Sequence, residues 1–392
     1  MTINLIGLWP VLRFLRIFYR AGVVFVLAAF FVIGALLPLN NGAALAHPAD
    51  YSPQNFYVSQ TITLTAGAVG DPLPRIQCGT GYSATIYAQG LSAPDGLAFG
   101  PDGLLYVAEE TSGEVSQIDA TGAVTAVITG LSNPEGIAFD GSGNLYVVED
   151  IDNGRIVKRA TNGAISTLTT GLDAPEGIVW NSSDNQLYVT ESNLEYAVST
   201  SSITPTDYRT HVTKVSLAGV ATRILTKTAV FTPGSPLKVT FWSYAGIAVG
   251  PDGNLYFANE LSGQTTDGTY FGVNYQADST DSVFTATTAS IPTAPTAFAN
   301  NQLIAPEGLR FSGSGSFPLY VAEEDIGGGA GRLSKVQSNG SHSPFCTGFF
   351  SIEDVALDAN GRIYVSEDES GNGKVILIEQ TTTSVWLPVI LR

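Results

Sequence analysis

The sequence has few basic residues, few histidines and few cysteines, and each shortage argues against a class of function. It carries 18 lysines and arginines against 35 aspartates and glutamates, which gives a formal net charge of −17. A chain this acidic repels nucleic acid and anionic lipid surfaces, so we expect no nucleic-acid partner. The sequence also lacks a Gly-x-Ser-x-Gly elbow, a phosphate-cradling loop and a Cys-x-x-Cys pair. The chemistries that depend on those motifs are therefore not expected here.

Helical periodicity is nearly absent after residue 46, where glycine, threonine and β-branched residues are abundant. This pattern predicts an all-β chain. The 346 residues that follow position 46 are enough for one large core.

Residues 1–46 have the pattern of an export signal. Three arginines precede an apolar run over residues 21–39, and a small-x-small cleavage pattern ends at Ala46. The run is long for a signal, so an uncleaved membrane anchor is the alternative. Cleavage would remove three arginines and no acid, which changes the net charge from −17 to −20. We expect a secreted, periplasmic or cell-surface protein, with membrane contact only if the signal stays attached.

The two cysteines, Cys78 and Cys346, form an even pair in a chain predicted to be exported. In an oxidising compartment such a pair favours one disulfide over two free thiols or a metal site. The bond would tie an N-terminal leader, residues 47–83, to the end of the fifth repeat.

A sixteen-residue phrase recurs six times. It reads Pro-acid-Gly-apolar-Ala/Val-aromatic, then a Gly/Asp-rich turn, then Leu-Tyr-Val-x-Glu. Intervals of 40, 41, 69, 62 and 46 residues separate the copies, which is typical of propeller blades rather than helical arrays. The copies begin at Pro94, Pro134, Pro175, Tyr244, Pro306 and Ile352.

Each copy predicts a short inner strand, a tight hairpin and a second strand, with a third and a fourth strand after it. Four antiparallel strands in each of six repeats predict a six-bladed β-propeller over residues 84–380. Residues 84–89 resemble a fourth strand but precede the first repeat, so we expect them to complete blade six and close the ring. Residues 381–392 form an apolar tail, predicted to be an extra packed strand or, alternatively, a surface-sorting signal.

Two columns of carboxylates follow the repeat. Because strand direction alternates within a blade, both columns should lie at the face where the inner strand begins. The fourth copy breaks both columns. The residue before each repeat glycine, expected to point at the central channel, is Asp95, Glu135, Glu176, Ala245, Glu307 or Glu353. The residue that ends each second strand is Glu109, Glu149, Glu191, Asn259, Glu323 or Glu367.

Carboxylates that converge on one axis repel each other unless a cation is present. A hard, oxygen-liganded ion suits such a site, Ca²⁺ before Mg²⁺. It can polarise a carbonyl while a neighbouring carboxylate activates water, a function we assign to Glu176, Glu307 or Asp95. The alternative is that these acids accept backbone N–H bonds within the blade, which we favour for the second column. The predicted metal ligands are Asp95, Glu135, Glu176, Glu307 and Glu353.

Long connections at residues 192–210, 227–245 and 260–281 lie on the acid-bearing face, beside the irregular fourth copy. They are rich in aromatic residues, and an acidic mouth walled by aromatic loops suits a small organic ligand. The predicted substrate-binding residues are Trp242, Tyr244, Tyr270 and Phe271.

The strings Pro134-Glu135-Gly136-Ile137-Ala138-Phe139 and Gly143-Asn144-Leu145-Tyr146-Val147 are similar to the NHL-repeat and gluconolactonase-like superfamily of six-bladed propellers. With the export signal, the chain most resembles the secreted ScyD/ScyE-type propellers. The gluconolactonase resemblance implies a divalent metal held by Glu, Asn and Asp before inner-strand glycines. Glu176 and Asp95 match two of these ligands, but no Asn precedes a repeat glycine. The fourth repeat also resembles virginiamycin B lyase, but the histidine base of that enzyme has no counterpart here.

These observations together predict an exported, monomeric propeller that binds Ca²⁺ at the channel mouth and hydrolyses a small lactone or ester. One rival is a non-catalytic module whose aromatic face binds a peptide, glycan or pigment precursor. The other is a structural propeller whose acids serve only packing and solubility. Fold analogy alone cannot decide among them.

Overall fold

The computed structural model describes residues 68–192, 209–228, 230–232, 237–240, 242–260, 268–270, 273–277, 281–288, 295–300, 303–324, 331–369 and 371–381. The expected export signal, most of the leader and the tail beyond Thr381 lie outside these residues. Among the described residues, no helix has the length and apolar character needed to cross a membrane.

Six four-stranded antiparallel sheets form the blades of a propeller, which confirms the predicted fold. The first three blades follow the repeat in chain order, from inner to outer strand. Blade one is Pro94–Phe99, Leu105–Glu109, Glu114–Ile118 and Val124–Thr129. Blade two is Pro134–Phe139, Leu145–Glu149, Gly154–Arg159 and Ile165–Leu172. Blade three is Pro175–Asn181, Gln186–Ser192, Arg209–Ser216 and Ala221–Thr228.

The last three blades continue the pattern, with a short 3₁₀ turn, Gly313–Gly315, in blade five. Blade four is Tyr244–Val249, Leu255–Asn259, Ser282–Ala286 and Thr296–Asn300. Blade five is Pro306–Ser312, Ser316–Glu323, Gly331–Val336 and His342–Phe349. Blade six is Ser351–Leu357, Ile363–Asp368, Gly373–Gln380 and, as its outer strand, Tyr82–Leu91.

The ring is closed by strands from both ends of the chain, as predicted. Tyr82–Leu91 pairs antiparallel with Gly373–Gln380, so blade six is completed by residues that precede blade one. Just before this strand, Gln77–Cys78 pairs with the outer strand of blade five. Cys78 and Cys346 are joined there by a disulfide bond with an S–S distance of 2.05 Å.

The hairpin that joins inner and second strands contains a hydrogen bond from the repeat tyrosine to a turn aspartate in four blades. The Tyr106 hydroxyl donates to the turn carboxylate of Asp102 at 2.8 Å, and Tyr146 donates to Asp140 at 2.9 Å. The same tyrosine packs edge-to-face on the next blade, as Tyr106 does on Phe139 with centroids 4.9 Å apart. The repeat tyrosine therefore fixes the turn in four blades, and in blade one it also packs against the following blade. We call this face of the propeller the turn end.

The connection from blade three to blade four and the long connection within blade four pair with each other. Leu237–Thr240 runs parallel to Val273–Ala277, and each has a further antiparallel neighbour, Val230–Thr232 or Gly268–Tyr270. The insertions thus form an accessory four-stranded sheet. Both begin where strands end at the acid-bearing face, so they meet beside blades three and four at that face.

Candidate functional site

The face opposite the turn end, which we call the mouth end, carries both predicted carboxylate columns. In the column that ends the second strands, each side chain accepts a backbone N–H bond from the loop that enters its own inner strand. Glu323 accepts from Ile304 at 2.6 Å and Glu149 from Ser132 at 3.0 Å. The same bond is made by Glu109, Glu191, Asn259 and Glu367. This column therefore caps the blades, the structural alternative favoured from the sequence.

The capping column also explains why the fourth copy carries an asparagine. Four of the buried capping glutamates are paired with an arginine: Arg155, Arg223, Arg332 or Arg75. In blade one the Ser116 hydroxyl donates to Glu109 at 2.5 Å. Asn259 makes the cap with a neutral side chain, accepting from Ser243 at 3.0 Å. Because the Asn259 side chain is neutral, the cap of blade four needs no arginine partner.

A third acidic column lies one residue further along and was not predicted. The backbone N–H of Glu324 donates to Ala305 at 2.9 Å, and that of Glu260 donates to Ser243 at 2.8 Å. These bonds hold the column against the start of each inner strand. Its sequence signal is the residue directly after the capping position, acidic in five of six repeats. The column consists of Glu110, Asp150, Ser192, Glu260, Glu324 and Asp368.

The third column contributes two members of the tightest acidic cluster among the described residues. Carboxylate oxygens of Glu260, Glu307 and Glu324 all lie within 4.8 Å of one another. Glu260 and Glu324 are buried at 5% and 3% exposure, whereas Glu307 stays partly exposed. We call these three residues the mouth triad. It combines one predicted residue, Glu307, with two that sequence reasoning missed.

The electrostatics of the mouth are dominated by like charges around Glu307. Burial raises the pKa of Glu307 well above its usual range, and neighbouring carboxylates raise it further. The neighbours that contribute most, in decreasing order, are Glu260, Glu353, Glu176 and Asp95. Carboxylates from several blades therefore converge on one region, centred on blades four and five.

The predicted channel residues do not share this region equally. Glu353, Glu176 and Asp95 act on Glu307 through space, whereas Glu135 is not among the neighbours that dominate its pKa. In blade four the same position is Ala245, which is buried. The ring of acids is thus uneven, and its densest part lies at blades four and five.

The donor chemistry of the mouth triad fits a hard divalent cation. All three ligands are carboxylates, and Ca²⁺ and Mg²⁺ take oxygen ligands, Ca²⁺ with more coordination flexibility. Neighbouring carboxylates raise the pKa of Glu307, and a cation bound among them would offset their mutual repulsion. There are no sulfur or imidazole ligands in the triad, so softer metals are less suited.

The structure revises the expectation for the aromatic wall. Trp242 is partly exposed at the entry to blade four, with the Lys227 ammonium 5.5 Å from its ring centroid. Tyr244 is fully buried between blades three and four against Phe257, so it cannot line the mouth as predicted. Its position at the start of an inner strand turns its ring into the core. Phe271 and the side chain of Tyr270 lie outside the described residues.

Solved structures share this fold at low sequence identity. A gluconolactonase of Xanthomonas campestris matches with a TM-score of 0.58 and 13% identity, covering 80% of this chain and 99% of the other. The PQQ domain of a pyranose dehydrogenase from Coprinopsis cinerea gives 0.54 and 14%, covering 80% and 99%. A PQQ-bound aldose sugar dehydrogenase of Streptomyces coelicolor gives 0.52 and 17%, covering 77% and 99%. At these identities the likeness establishes the fold alone.

No protein-family model matches the chain, and no curated protein does. The function is therefore argued from the site.

Proposed function

We propose that this propeller binds a divalent cation, Ca²⁺ before Mg²⁺, at the mouth triad and hydrolyses a small lactone or ester. The observation that carries the proposal is the convergence of carboxylate oxygens of Glu260, Glu307 and Glu324 within 4.8 Å of one another, with Glu307 partly exposed. The fold shared with a gluconolactonase supports the substrate class by analogy.

The chemistry divides between the ion and the chain. A bound cation would supply Lewis-acid polarisation of a substrate carbonyl. Glu307, partly exposed among buried acids, is placed to bind the ion and to face a ligand. Glu176 and Asp95 lie close enough to influence Glu307 and are the remaining candidates to hold or move a proton at the attacking water.

The proposal includes export of a monomeric protein. It is supported by the arginine-then-apolar pattern of residues 1–46. It is also supported by the Cys78–Cys346 disulfide, because such bonds persist in oxidising compartments.

Cation binding is tested by unfolding the protein in EDTA and then with added Ca²⁺ or Mg²⁺. At a concentration of 100 times Kd, a bound ion should raise the free energy of unfolding by about 2.7 kcal/mol. Glu307→Gln should remove most of this gain. Glu135→Gln is the matched control, since it makes the same change in the channel column outside the triad. If the unfolding midpoint of the wild-type protein is the same in EDTA and with added Ca²⁺ or Mg²⁺, both the cation site and the lactonase activity are refuted.

Catalysis is tested next with a panel of lactones and aryl esters. We expect turnover that requires the cation and falls in Glu307→Gln and Glu176→Gln. Activity that survives in both variants would refute the assignment of these residues. A stable ligand complex without turnover would instead establish the second candidate, a binding module, which the partly exposed Trp242 favours.

A further inference from the structure

Two positions near the propeller axis depart from the repeat, and both departures lie in adjacent blades. The repeat glycine is replaced in blade six by Asp354. Two residues beyond the glycine of blade five, a position otherwise occupied by alanine or valine, the chain has Arg310. The corresponding residues of the other blades are Ala98, Ala138, Val179, Ala248 and Ala356. Arg310 is the single basic residue in the inner strands.

The glycine is required by close packing in the other blades. A side chain on Gly96 would lie 2.5 Å from the carbonyl oxygen of Glu135 in the next blade, which no real contact allows. At the seam between blades six and one, this backbone contact is replaced by a side chain. Asp354 accepts the Leu97 N–H of blade one at 2.8 Å and the Val355 N–H at 2.7 Å.

Arg310 bonds to the carbonyl groups of the same two residues. Its Nη2 donates to Leu97 at 3.1 Å, and its Nε approaches Val355 at 3.5 Å. Asp354 thus binds the N–H groups and Arg310 the C=O groups of one residue in blade six and one in blade one. Together they tie three blades at the point where the ring closes.

The brace is adjacent to the mouth. Asp354 follows Glu353, and its carboxylate occupies the space where Gly308, the residue after Glu307, would carry a side chain. Arg310 lies on the same inner strand as Glu307, Pro306–Ser312. The two inner strands that carry Glu307 and Glu353 are therefore held by the same four backbone contacts.

We propose that Arg310 and Asp354 are positioning residues, which brace blades five, six and one and thereby fix the spacing of the mouth carboxylates for the cation. The inference rests on the proposed function, because the cation is its readout. The brace itself stands on geometry and can be tested without the ion.

Charge and position make opposite predictions for one conservative variant. Arg310→Lys keeps the charge but loses the planar fork that reaches two carbonyl groups. Asp354→Asn loses the charge and also one of the two acceptors, because its Nδ2 is a donor and cannot accept an N–H bond. A positioning function predicts that Arg310→Lys weakens Ca²⁺ binding about tenfold, the lower end for residues that support metal ligands. It predicts that Asp354→Asn also weakens binding, because one of the four backbone contacts is lost. If only long-range charge matters, Arg310→Lys is neutral, so Arg310→Lys is the variant that separates the two explanations.

The measurement is Ca²⁺ titration by calorimetry on the full chain, with urea unfolding in EDTA for each variant. Tyr364→Phe is the control, because it perturbs the turn end of blade six and should leave affinity unchanged. The unfolding cycle of Arg310→Ala, Asp354→Gly and their double variant, which restores the repeat, should be non-additive because both side chains bind the same two residues.

The outcomes separate the two proposals. If the wild-type protein binds no cation but the cycle is non-additive, the brace stands and the proposed function fails. If the ion binds equally well to wild type and Arg310→Lys, the positioning function is overturned. An additive cycle overturns the brace.

Discussion

Carboxylates at the turn end and at the mouth end of the propeller have pKa values shifted in opposite directions, as Asp140 and Glu307 show. At the turn end, burial alone would raise the pKa of Asp140. Hydrogen bonds from Asn144, Tyr146 and Ser142 outweigh it, so the pKa is lowered. At the mouth end, burial and neighbouring acids together raise the pKa of Glu307. At the turn end, hydrogen bonds outweigh the cost of burying Asp140, whereas at Glu307 burial and neighbouring negative charges act in the same direction.

The backbone shows the same contrast. The left-handed position of the inner hairpin is a glycine in four blades, where it adopts that conformation without strain, and Asn185 in blade three. At the mouth end the residue before an inner strand is left-handed in four blades, and none of these is glycine. The turn glycines, with φ from +77° to +84°, are Gly103, Gly143, Gly253 and Gly361. The mouth residues, with φ from +41° to +51°, are Ala93, Asn133, Ala174 and Ala305. Strain and charge therefore concentrate at the end where we place the function.

The largest expected effect is an exception to this contrast, because one mouth-end carboxylate, Glu323, stabilises the folded protein. Glu323 is buried and bonded to Ile304 N–H and to Arg332. Glu323→Leu removes the carboxylate that accepts these bonds and should lower the free energy of unfolding by about 3–5 kcal/mol. Urea unfolding measures it.

Asn259→Leu is the matched control, since it removes the same cap without stranding an arginine. It should cost less, about 1–3 kcal/mol. Equal losses in the two variants would show that the buried ion pair contributes nothing.

The difference in backbone strain between the two ends is tested by placing alanine at a turn glycine and glycine at a mouth alanine. Gly253 has open space around it but φ of +77°, so Gly253→Ala should destabilise by about 1–2 kcal/mol through strain alone. Ala305→Gly relieves strain at the mouth and should stabilise by about 0.5 kcal/mol, after the added entropy of the unfolded chain. Opposite signs in thermal unfolding are the test. A loss of stability in Ala305→Gly would show that the left-handed backbone at Ala305 is not strained.

Much of this architecture could be predicted from the sequence because the repeat repeats its contacts. The period, the Asp–Tyr turns and the capping column each recur in nearly every blade, so a local pattern carries the information. The third column recurs just as regularly, as the residue after each capping position from Glu109 to Glu367, but the adjacent capping acid follows the same pattern. Nothing in the pattern distinguished the capping acid from the mouth acid one residue later.

The remaining features depend on contacts that no local pattern encodes. Arg310 reaches residues 45 and 213 positions away, so its partners follow only from the closed ring. The parallel pairing of Leu237–Thr240 with Val273–Ala277 joins two insertions that share no repeat. Tyr244 was assigned to the mouth from its loop, but the strand begins at that residue and directs its ring inward.

A smaller effect tests the mouth directly. In EDTA, Glu307→Gln removes one member of a group of repelling acids and should stabilise the protein by up to about 1 kcal/mol. Glu323→Gln makes the same chemical change at a cap and should destabilise. Added Ca²⁺ should reverse the order for Glu307→Gln, because the wild type then gains the ion. If Glu307→Gln is less stable than the wild type in EDTA, repulsion among the mouth carboxylates does not destabilise the protein.

The smallest effect concerns the acid limb of stability at the turn end. Because the folded-state pKa of Asp140 is lowered, its contribution is complete above the unfolded-state pKa of about 3.9 and is lost as pH falls through the folded value. Asp140→Asn should cost about 0.5 kcal/mol at pH 7 and flatten the loss of stability below about pH 4. Urea unfolding at pH 7, 4 and 3 measures both. An unchanged acid limb would mean that the turn carboxylates do not stabilise through their charge, and the contrast between the two ends would then reduce to the mouth alone.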